Sequence, residues 1–354
     1  MKRLIVCVAA FFAAAVLSAY NPPAGGQSMY TLSAPTQLSS ASSVAGGGIY
    51  YPAPDSIAFN PALPATEQRI TLDTDFTALV AGGFHSAVQT GILIPTKMFV
   101  ASGLLQGVFL NSGVIDLDNS LNLKAGLSKE VTERISVGFD VTTGVTWGGE
   151  TDWAIGGGLG VLYRQASLGI LKDFRIGVSV LNLGKYFNNQ KARGIRDKHE
   201  DDAGKWYGTD TYPAVATVRT GAATLFVDSK HIKFGASFDI SAATFQNLML
   251  DAGLQLGIRD VLFINVAEHF DLRETLNGYS NFIPAIGLGV KFNFTPGTNE
   301  YLKSRSWETS EMLVSGAWQQ QYEAVQAISG GVKIKLGQKD TTAPSITIWD
   351  GEEE

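Results

Sequence analysis

Four short clusters in the sequence carry residue types that bind metal ions, move protons or cradle phosphates. The runs His199–Asp202 and Asp116–Asn119 offer oxygen and imidazole ligands of the kind that divalent cations take. Glu268-His269 together with Asp271 has the residue types needed for acid and base catalysis. The fourth cluster, Gly156–Gly160, is glycine-rich like a nucleotide-binding loop.

None of the four clusters has the rest of the site that its chemistry requires. The His199–Asp202 run lies in a highly charged stretch typical of a solvated loop, and Asp116–Asn119 lacks the remainder of an EF-hand loop. No serine nucleophile motif accompanies His269, and no helix is predicted after the glycine run. With only 4 histidines in the chain, we expect no catalytic residues, no metal site and no cofactor, and we predict that the protein is not an enzyme.

Much of the chain around these clusters is predicted to form strands, because apolar residues recur at every second position. In Arg134–Thr142 the apolar residues alternate with charged, hydroxylated or glycine residues, and the same pattern returns at 121–127, 174–180, 232–240 and 286–294. Successive side chains of a strand point to opposite faces, so each segment has one apolar and one polar face. Many such segments, each long enough to cross a bilayer when tilted, are the signature of a transmembrane β-barrel.

From residue 68 onward, fourteen segments fit this pattern. They are approximately 68–80, 85–95, 98–110, 119–129, 134–146, 153–165, 173–183, 212–227, 231–241, 248–258, 261–269, 283–294, 310–320 and 327–336. We therefore predict an all-β fold, a transmembrane antiparallel β-barrel of about 14 strands. The even count would place both barrel ends on the periplasmic side, with the longest loop, 184–211, outside.

The charged residues of these segments predict which face points inward. A charge facing lipid at mid-depth costs about 2 to 4 kcal/mol, so the strand charges are expected in the lumen. These residues are Lys124, Asp140, Arg175, Lys233, Asp239, Asp251 and Lys291. A soluble β-sandwich with its apolar faces in a core would show the same alternation and is the alternative.

The first nineteen residues are typical of a secretory signal peptide. Lys2 and Arg3 precede the apolar run Leu4–Val16, and Ser18-Ala19 provides small residues for cleavage. Cys7 lies in this run and is the one cysteine of the sequence, so the mature chain would have no disulfide, thiol catalysis or cysteine metal site. The formal net charge of −6 argues against nucleic acid as a partner.

Residues 20–67 and 337–354 break the strand pattern. The first range is rich in proline, glycine and serine but too apolar for a disordered tail, so we expect it to fill the barrel lumen as a plug; a periplasmic extension without a role is the alternative. The second range is charged and ends in three glutamates, and we assign it to a periplasmic acidic tail. The predicted domains are thus a signal peptide (1–19), a plug (20–67), a barrel (68–336) and the tail.

The segment Asp55–Ala65, with the sequence DSIAFNPALPA, resembles the N-terminal signature of the long-chain fatty-acid transporter (FadL-type) family, and in overall look the chain is similar to the spirochaete FadL-like outer-membrane proteins. The resemblance implies a hatch that plugs a fourteen-stranded barrel in the outer membrane and uptake of hydrophobic molecules such as fatty acids. It also implies a monomer surrounded by outer-membrane lipid. The hatch and ligand-binding residues would be Ile57, Phe59, Asn60, Pro61, Ala62 and Leu63.

In that family a kink in the third strand opens the barrel wall sideways. In the third predicted strand here, the apolar alternation changes phase at Leu104-Leu105, followed by Gln106, and Gly103 and Gly107 stand on either side. A slip of one residue is what a β-bulge produces. We therefore expect a kink, and with the resemblance a lateral opening, at Gly103–Gly107; an ordinary bulge without a transport role is the alternative.

Three functions fit the sequence. The first is passive uptake of hydrophobic solutes through a plugged barrel. The second is a general porin, which the lumen charges favour and a plug opposes. The third is a surface adhesin or secretion-associated barrel that would bind through the loop 184–211 and the acidic tail.

Overall fold

The computed structural model describes residues 33–39, 41, 43–110, 115, 116, 118–148, 151–185, 194–196, 206, 207, 216–243, 245, 247–272, 275, 283–295, 300, 307, 309–321 and 325–339. The predicted signal peptide, the His199–Asp202 run, most of the loop 184–211 and the tail from residue 340 lie outside these ranges. No helix in the described part of the chain is long and apolar enough to cross a bilayer.

Fourteen strands form one closed antiparallel barrel. They are β1 (Arg69–Val80), β2 (Phe84–Pro95), β3 (Val100–Phe109), β5 (Asn119–Thr132), β6 (Ile135–Trp147), β7 (Asp152–Leu168), β8 (Leu171–Lys185), β11 (Thr217–Asp228), β12 (Ile232–Ala243), β13 (Asn247–Ile258), β14 (Leu262–Asp271), β15 (Ala285–Phe294), β16 (Ser310–Gln321) and β17 (Val325–Lys339). Each pairs with its neighbours in this order, and β1 closes the barrel by pairing with β17. Every one of the fourteen predicted segments is confirmed.

Three short strands were not predicted from the sequence. They are β4 (Ile115–Asp116), β9 (Gly194–Arg196) and β10 (Trp206–Tyr207), which pair as a separate sheet in the order β10-β9-β4. They lie in the connections β3–β5 and β8–β11, which fall at the same end of the barrel. Two- and three-residue strands are too short to show a period in the sequence.

The two ends of the barrel differ in their connections. The barrel begins at Arg69 and finishes at Lys339, which pair with each other, and we call this end the terminal end. The predicted boundary at 336 was wrong, because β17 continues its pairing with β1 as far as Lys339. Five of the six connections at this end are short: 95–100, 132–135, 168–171, 228–232 and 258–262. The sixth, 294–310, is longer, and the longest connection, 185–217, lies at the opposite, loop end.

The two faces of the barrel wall have opposite polarity, as the alternation predicts. Three adjacent pairs illustrate it: Phe76, Phe139 and Phe238 are each 48% exposed, whereas Asp75, Asp140 and Asp239 next to them are at most 2% exposed. All seven charged residues expected in the lumen lie on the inward phase of their strands. The outer surface is thus apolar, while the polar groups face inward.

The kink predicted at Leu104-Leu105 is absent, and this prediction was wrong. Pairing of β3 with β2 and with β5 runs through Gly103–Gly107 without a register shift. Leu104 is 1% exposed, Leu105 is 39% exposed and Gln106 is 5% exposed, so the alternation continues in one phase. Leu104 and Pro54 both lie within 3.0 Å of the point that a Cβ atom of Gly91 would occupy, so this inward apolar side chain has an apolar neighbour from the inner segment. The ladder here offers no lateral opening.

The described residues 33–39, 41 and 43–67, which we call the inner segment, lie against the inward face of the wall. The segment contains the one-turn helix α1 (Pro35–Leu38) and two 3-10 helices, η1 (Pro54–Ala58) and η2 (Leu63–Thr66). Its helices contact eight strands that follow one another around the barrel: β15, β16, β17, β1, β2, β3, β5 and β6. Other residues of the segment are hydrogen-bonded to β7, β8 and β12. Since β8 and β17 are opposite each other in the barrel order, the inner segment contacts the inward face of the wall on opposite sides.

Candidate functional site

Asn60 fixes the inner segment to the barrel wall. Its Nδ2 donates hydrogen bonds to the carbonyl oxygens of Val44 (2.9 Å) and Val161 (3.1 Å), while its Oδ1 accepts one from the Ala62 amide (2.9 Å). The side chain is fully buried. One amide thus joins two parts of the inner segment to β7, a role that needs both a donor and an acceptor.

Two glycines make room for the Asn60-Pro61-Ala62 turn. Gly138 of β6 and Gly160 of β7 are directly paired across the ladder. A Cβ atom at Gly160 would lie 1.9 Å from Asn60 Oδ1, and one at Gly138 would lie 2.2 Å from the Pro61 carbonyl oxygen. Both distances are impossible for a real side chain, so the wall accepts this turn only because these two positions lack one. Gly156–Gly160 therefore has a packing role in a strand.

The apolar hatch residues pack on the same part of the wall. Phe59, Ala62 and Leu63 form a buried cluster with Leu162 of β7. Ile57 is fully buried, close to the site of Gly126 on β5. All six predicted hatch residues thus lie in one stretch of the inner segment, and this stretch packs against the wall.

A buried arginine holds the part of the inner segment around the glycines 46–48. Arg175 of β8 donates from Nη1 to the Ala45 carbonyl (3.1 Å) and from Nη2 to the carbonyls of Gly47 (2.7 Å) and Gly48 (3.1 Å). Gly46 and Gly47 have φ angles of 86° and 77°, which only glycine adopts without strain. The guanidinium therefore supplies hydrogen bonds to three backbone carbonyl oxygens of this turn.

Tyr50 connects this arginine to the hatch cluster. Its ring centroid lies 4.8 Å from Cζ of Arg175 and 5.1 Å from Cζ of Arg164. The Tyr50 hydroxyl donates to the Leu63 carbonyl at 2.6 Å, and burial raises the pKa of this phenol. The cation–π contacts and the hydrogen bond together link two stretches of the inner segment to β7 and β8.

A polar network faces the inner segment from β11 to β14. The Val44 amide donates to Asp239 (2.8 Å), and Arg219 lies 3.4 Å from Asp239 and 3.5 Å from Asp251. His269 Nδ1 lies 2.5 Å from Asp251. Arg219 also stacks on Phe59, with 5.0 Å from its Cζ to the ring centroid.

The acid–base trio suggested by the sequence is not assembled. His269 faces the lumen and pairs with Asp251, Glu268 lies on the opposite phase of β14, and Asp271 accepts a hydrogen bond from Asn247 at 2.8 Å. Within the described residues, no group of three or more His, Cys, Asp or Glu side chains is placed to hold a metal ion.

Two lysines of β17 hold carboxylates of the inner segment. Lys333 Nζ lies 2.5 Å from Asp55 and 3.9 Å from Asp73 of β1, and it donates to the Thr36 hydroxyl at 3.0 Å. Lys335 Nζ lies 2.6 Å from Glu67. Sequence analysis did not single out either lysine. The sequence did contain an indication of their role: Lys333 and Lys335 are two positions apart in a predicted strand, so both side chains point to the same face.

A cavity remains between the inner segment and strands β13 to β17. It is partly enclosed and partly open to solvent. The inner segment contributes Pro35, Thr36, Ser39, Ala41, Gly46, Ile49, Tyr51 and Asp55, and the wall contributes Gln255, Phe263, Asn265, Leu288, Gly289, Leu313, Ser315, Gly316 and Lys333. None of the six predicted hatch residues lines this cavity, so their direct contact with a ligand stays a prediction.

These features define the class of protein: a closed antiparallel barrel with an apolar outside and a polar inside is an outer-membrane-type transmembrane β-barrel. Such a barrel satisfies every backbone hydrogen bond between strands and exposes its apolar residues to lipid.

Solved structures to which the chain is similar include three transporters or transporter homologues. They are the Pseudomonas putida toluene transporter TodX (11% identity, 83% of this chain and 97% of that one, TM-score 0.49), the Ralstonia pickettii toluene transporter TbuX (12%, 84% and 98%, 0.48) and a Pseudomonas aeruginosa FadL homologue (12%, 83% and 97%, 0.42). No family model and no curated protein sequence matches the chain.

Proposed function

We propose that this protein takes up hydrophobic solutes across the outer membrane through a barrel whose lumen is occupied by its own inner segment. The observation that carries the proposal is the attachment of this segment to the wall on opposite sides, through Asn60 at β7, Arg175 at β8 and Lys333 at β17. A segment held in this way leaves little room for a continuous water column. The cavity beside it has both apolar and polar walls and is the proposed place for a solute.

Long-chain fatty acids are the ligands implied by the resemblance of Asp55–Ala65 to the FadL-type signature. We propose them as the first ligands to test. If fatty acids are the solutes, a titration of the refolded protein with a fluorescent long-chain fatty acid shows saturable binding that disappears when residues 20–67 are deleted.

Conductance separates this function from that of a general porin. In planar bilayers we expect the intact protein to pass little current and the variant lacking residues 20–67 to pass a steady one. Because the deletion could impair folding, the shift of the barrel band on unheated gels should be recorded for both forms. A steady current through the intact protein, without fatty-acid binding, would make it a porin.

A further inference from the structure

We propose that the cavity between the inner segment and strands β13 to β17 binds an uncharged hydrophobic molecule that carries a hydroxyl or carbonyl oxygen, and that Tyr51 and Ser315 recognise this oxygen. The inference rests on the proposed function and names its ligand class. It departs from the carboxylate ligand that the family resemblance implies.

Two residues that line the cavity carry hydroxyl groups that the described part of the protein does not pair. The Tyr51 Oη and Ser315 Oγ atoms are both buried, and neither has a hydrogen-bond partner among the described residues. Buried hydroxyls are normally paired, since each loses its bonds to water on burial. One hydroxyl comes from the inner segment and the other from β16, so a ligand oxygen bonded to both would bridge the segment and the wall.

The tyrosine is held ready to donate. Burial raises the pKa of the Tyr51 phenol well above its usual range, so the group keeps its proton. Its ring is fixed by Lys335, whose Nζ lies 3.8 Å from the ring centroid. A phenol O–H donates well to a carbonyl or hydroxyl oxygen, and the serine hydroxyl can donate or accept in return.

The remaining surface of the cavity suits an apolar body. Ile49 of the inner segment, Phe263 of β14 and Leu313 of β16 line it. The nearby amides are occupied by the protein: Gln255 accepts from the Ile49 amide at 2.8 Å and donates to Asn265 at 3.1 Å. A small ligand with one polar end and an aromatic or aliphatic body fits this division.

The charges of the cavity favour a neutral ligand over a carboxylate. Lys333 is the cation that lines it among the described residues, and this ammonium group already contacts Asp55 at 2.5 Å and Thr36 at 3.0 Å. A carboxylate entering the cavity would lose its water and find the lysine already neutralised, close to Asp55. Burying an uncompensated charge is far more costly than burying a hydroxyl that is hydrogen-bonded.

The test uses three ligands of the same shape: p-cresol with a hydroxyl, toluene without a polar group and p-toluate with a carboxylate. Each is titrated into the full-length mature protein in detergent by isothermal calorimetry. We expect p-cresol to bind about tenfold more tightly than toluene, since one or two added hydrogen bonds are worth about that factor. We expect p-toluate to bind more weakly than p-cresol.

The variants Tyr51→Phe and Ser315→Ala should each weaken p-cresol several-fold and leave toluene unchanged. Tyr163→Phe is the matched control, because that hydroxyl bonds to Gln165 on β7 at 2.8 Å, away from the cavity. Equal affinity of p-cresol for wild type and Tyr51→Phe, or tighter binding of p-toluate than of p-cresol, would overturn the inference. If toluene still bound in that case, uptake of hydrophobic solutes would stand; absence of binding by all three would count against both proposals.

Discussion

At the scale of single residues, the missing side chains of two glycines decide where the inner segment lies. Asn60 Oδ1 occupies the place that a Cβ atom of Gly160 would take, and the Pro61 carbonyl does the same at Gly138. Interior glycines weaken a strand, since they add no packing and lose more chain entropy. Here the loss is offset by the close approach of a second chain segment, which buries Asn60 completely.

We expect Gly160→Val to displace the Asn60-Pro61-Ala62 turn. Its Cβ would overlap Asn60 Oδ1, and overpacking of this kind costs about 1 to 3 kcal/mol. The mature chain is predicted to have no cysteine, so a Ser56→Cys probe, at a buried position of η1, can report the change through its rate of thiol labelling. Labelling should be faster in the Gly160→Val protein.

The matched control for this experiment is Gly330→Val. The nearest atom to a Cβ at Gly330 is 3.9 Å away, so the added side chain meets no part of the inner segment. If both valine variants labelled at the wild-type rate, the glycine pair would not determine the position of the turn.

At the scale of elements, β17 and the inner segment are joined by charges. Lys333 and Lys335 face inward two residues apart, and each meets a carboxylate of the inner segment, Asp55 and Glu67. Lys333, Asp55 and Asp73 are at most 1% exposed. Buried ion pairs contribute little net stability, but removal of one partner leaves an unpaired charge out of water and is costly.

We therefore expect Lys333→Met to lower the free energy of unfolding by about 3 to 5 kcal/mol, because Asp55 and Asp73 would lose their shared cation. The double variant Lys333→Met/Asp55→Asn should recover much of this loss, since a hydrogen-bonding amide replaces the stranded carboxylate. Urea unfolding of the refolded proteins, analysed as a double-mutant cycle, measures the coupling.

Bilayer conductance of the same proteins shows whether the ion pair also holds the lumen closed. The single variant should pass more current than wild type, and the double variant should return toward it. Equal stability and equal current in all three proteins would mean that the Lys333–Asp55 pair does not hold the segment.

At the scale of the whole molecule, the two faces of the barrel wall have different surroundings: the outer face is suited to lipid, and the inner face packs on the inner segment. The outward residues of the fourteen strands are largely apolar and exposed, as a surface facing lipid requires, while the inward residues meet the inner segment or one another. A substitution should therefore be judged by its face and by its depth along the strand.

On β6, we expect Val141→Arg to cost about 2 to 4 kcal/mol, because the residue is 50% exposed on the outer face at the middle of the strand. Ile135→Arg, on the same face at the terminal end, should cost about 0 to 1 kcal/mol, since the charge can reach the membrane surface. Unfolding in lipid vesicles compares the two. Equal costs at the two positions would contradict a membrane-embedded β6.

The two-residue period of the apolar positions was enough to predict the barrel. Alternation of apolar and polar residues is a local property of each strand, so all fourteen strands and the inward position of Lys124, Asp140 and Arg175 could be predicted without long-range information. The apolar, proline-rich composition of 20–67 predicted a segment inside the barrel; the described part of it contacts the inward face of the wall.

Only the tertiary structure decided what this segment touches. Leu104 interrupts the alternation of apolar and polar residues, so the sequence alone predicted a change of phase there. Its apolar neighbour near Gly91 is Pro54, which lies about fifty positions earlier in the chain and could not be predicted from the local pattern. The Arg175, Lys333 and Lys335 contacts and the cavity with its two hydroxyl-bearing residues likewise join residues far apart in the sequence. Such contacts depend on how the closed barrel brings opposite strands around one lumen, which no local pattern records.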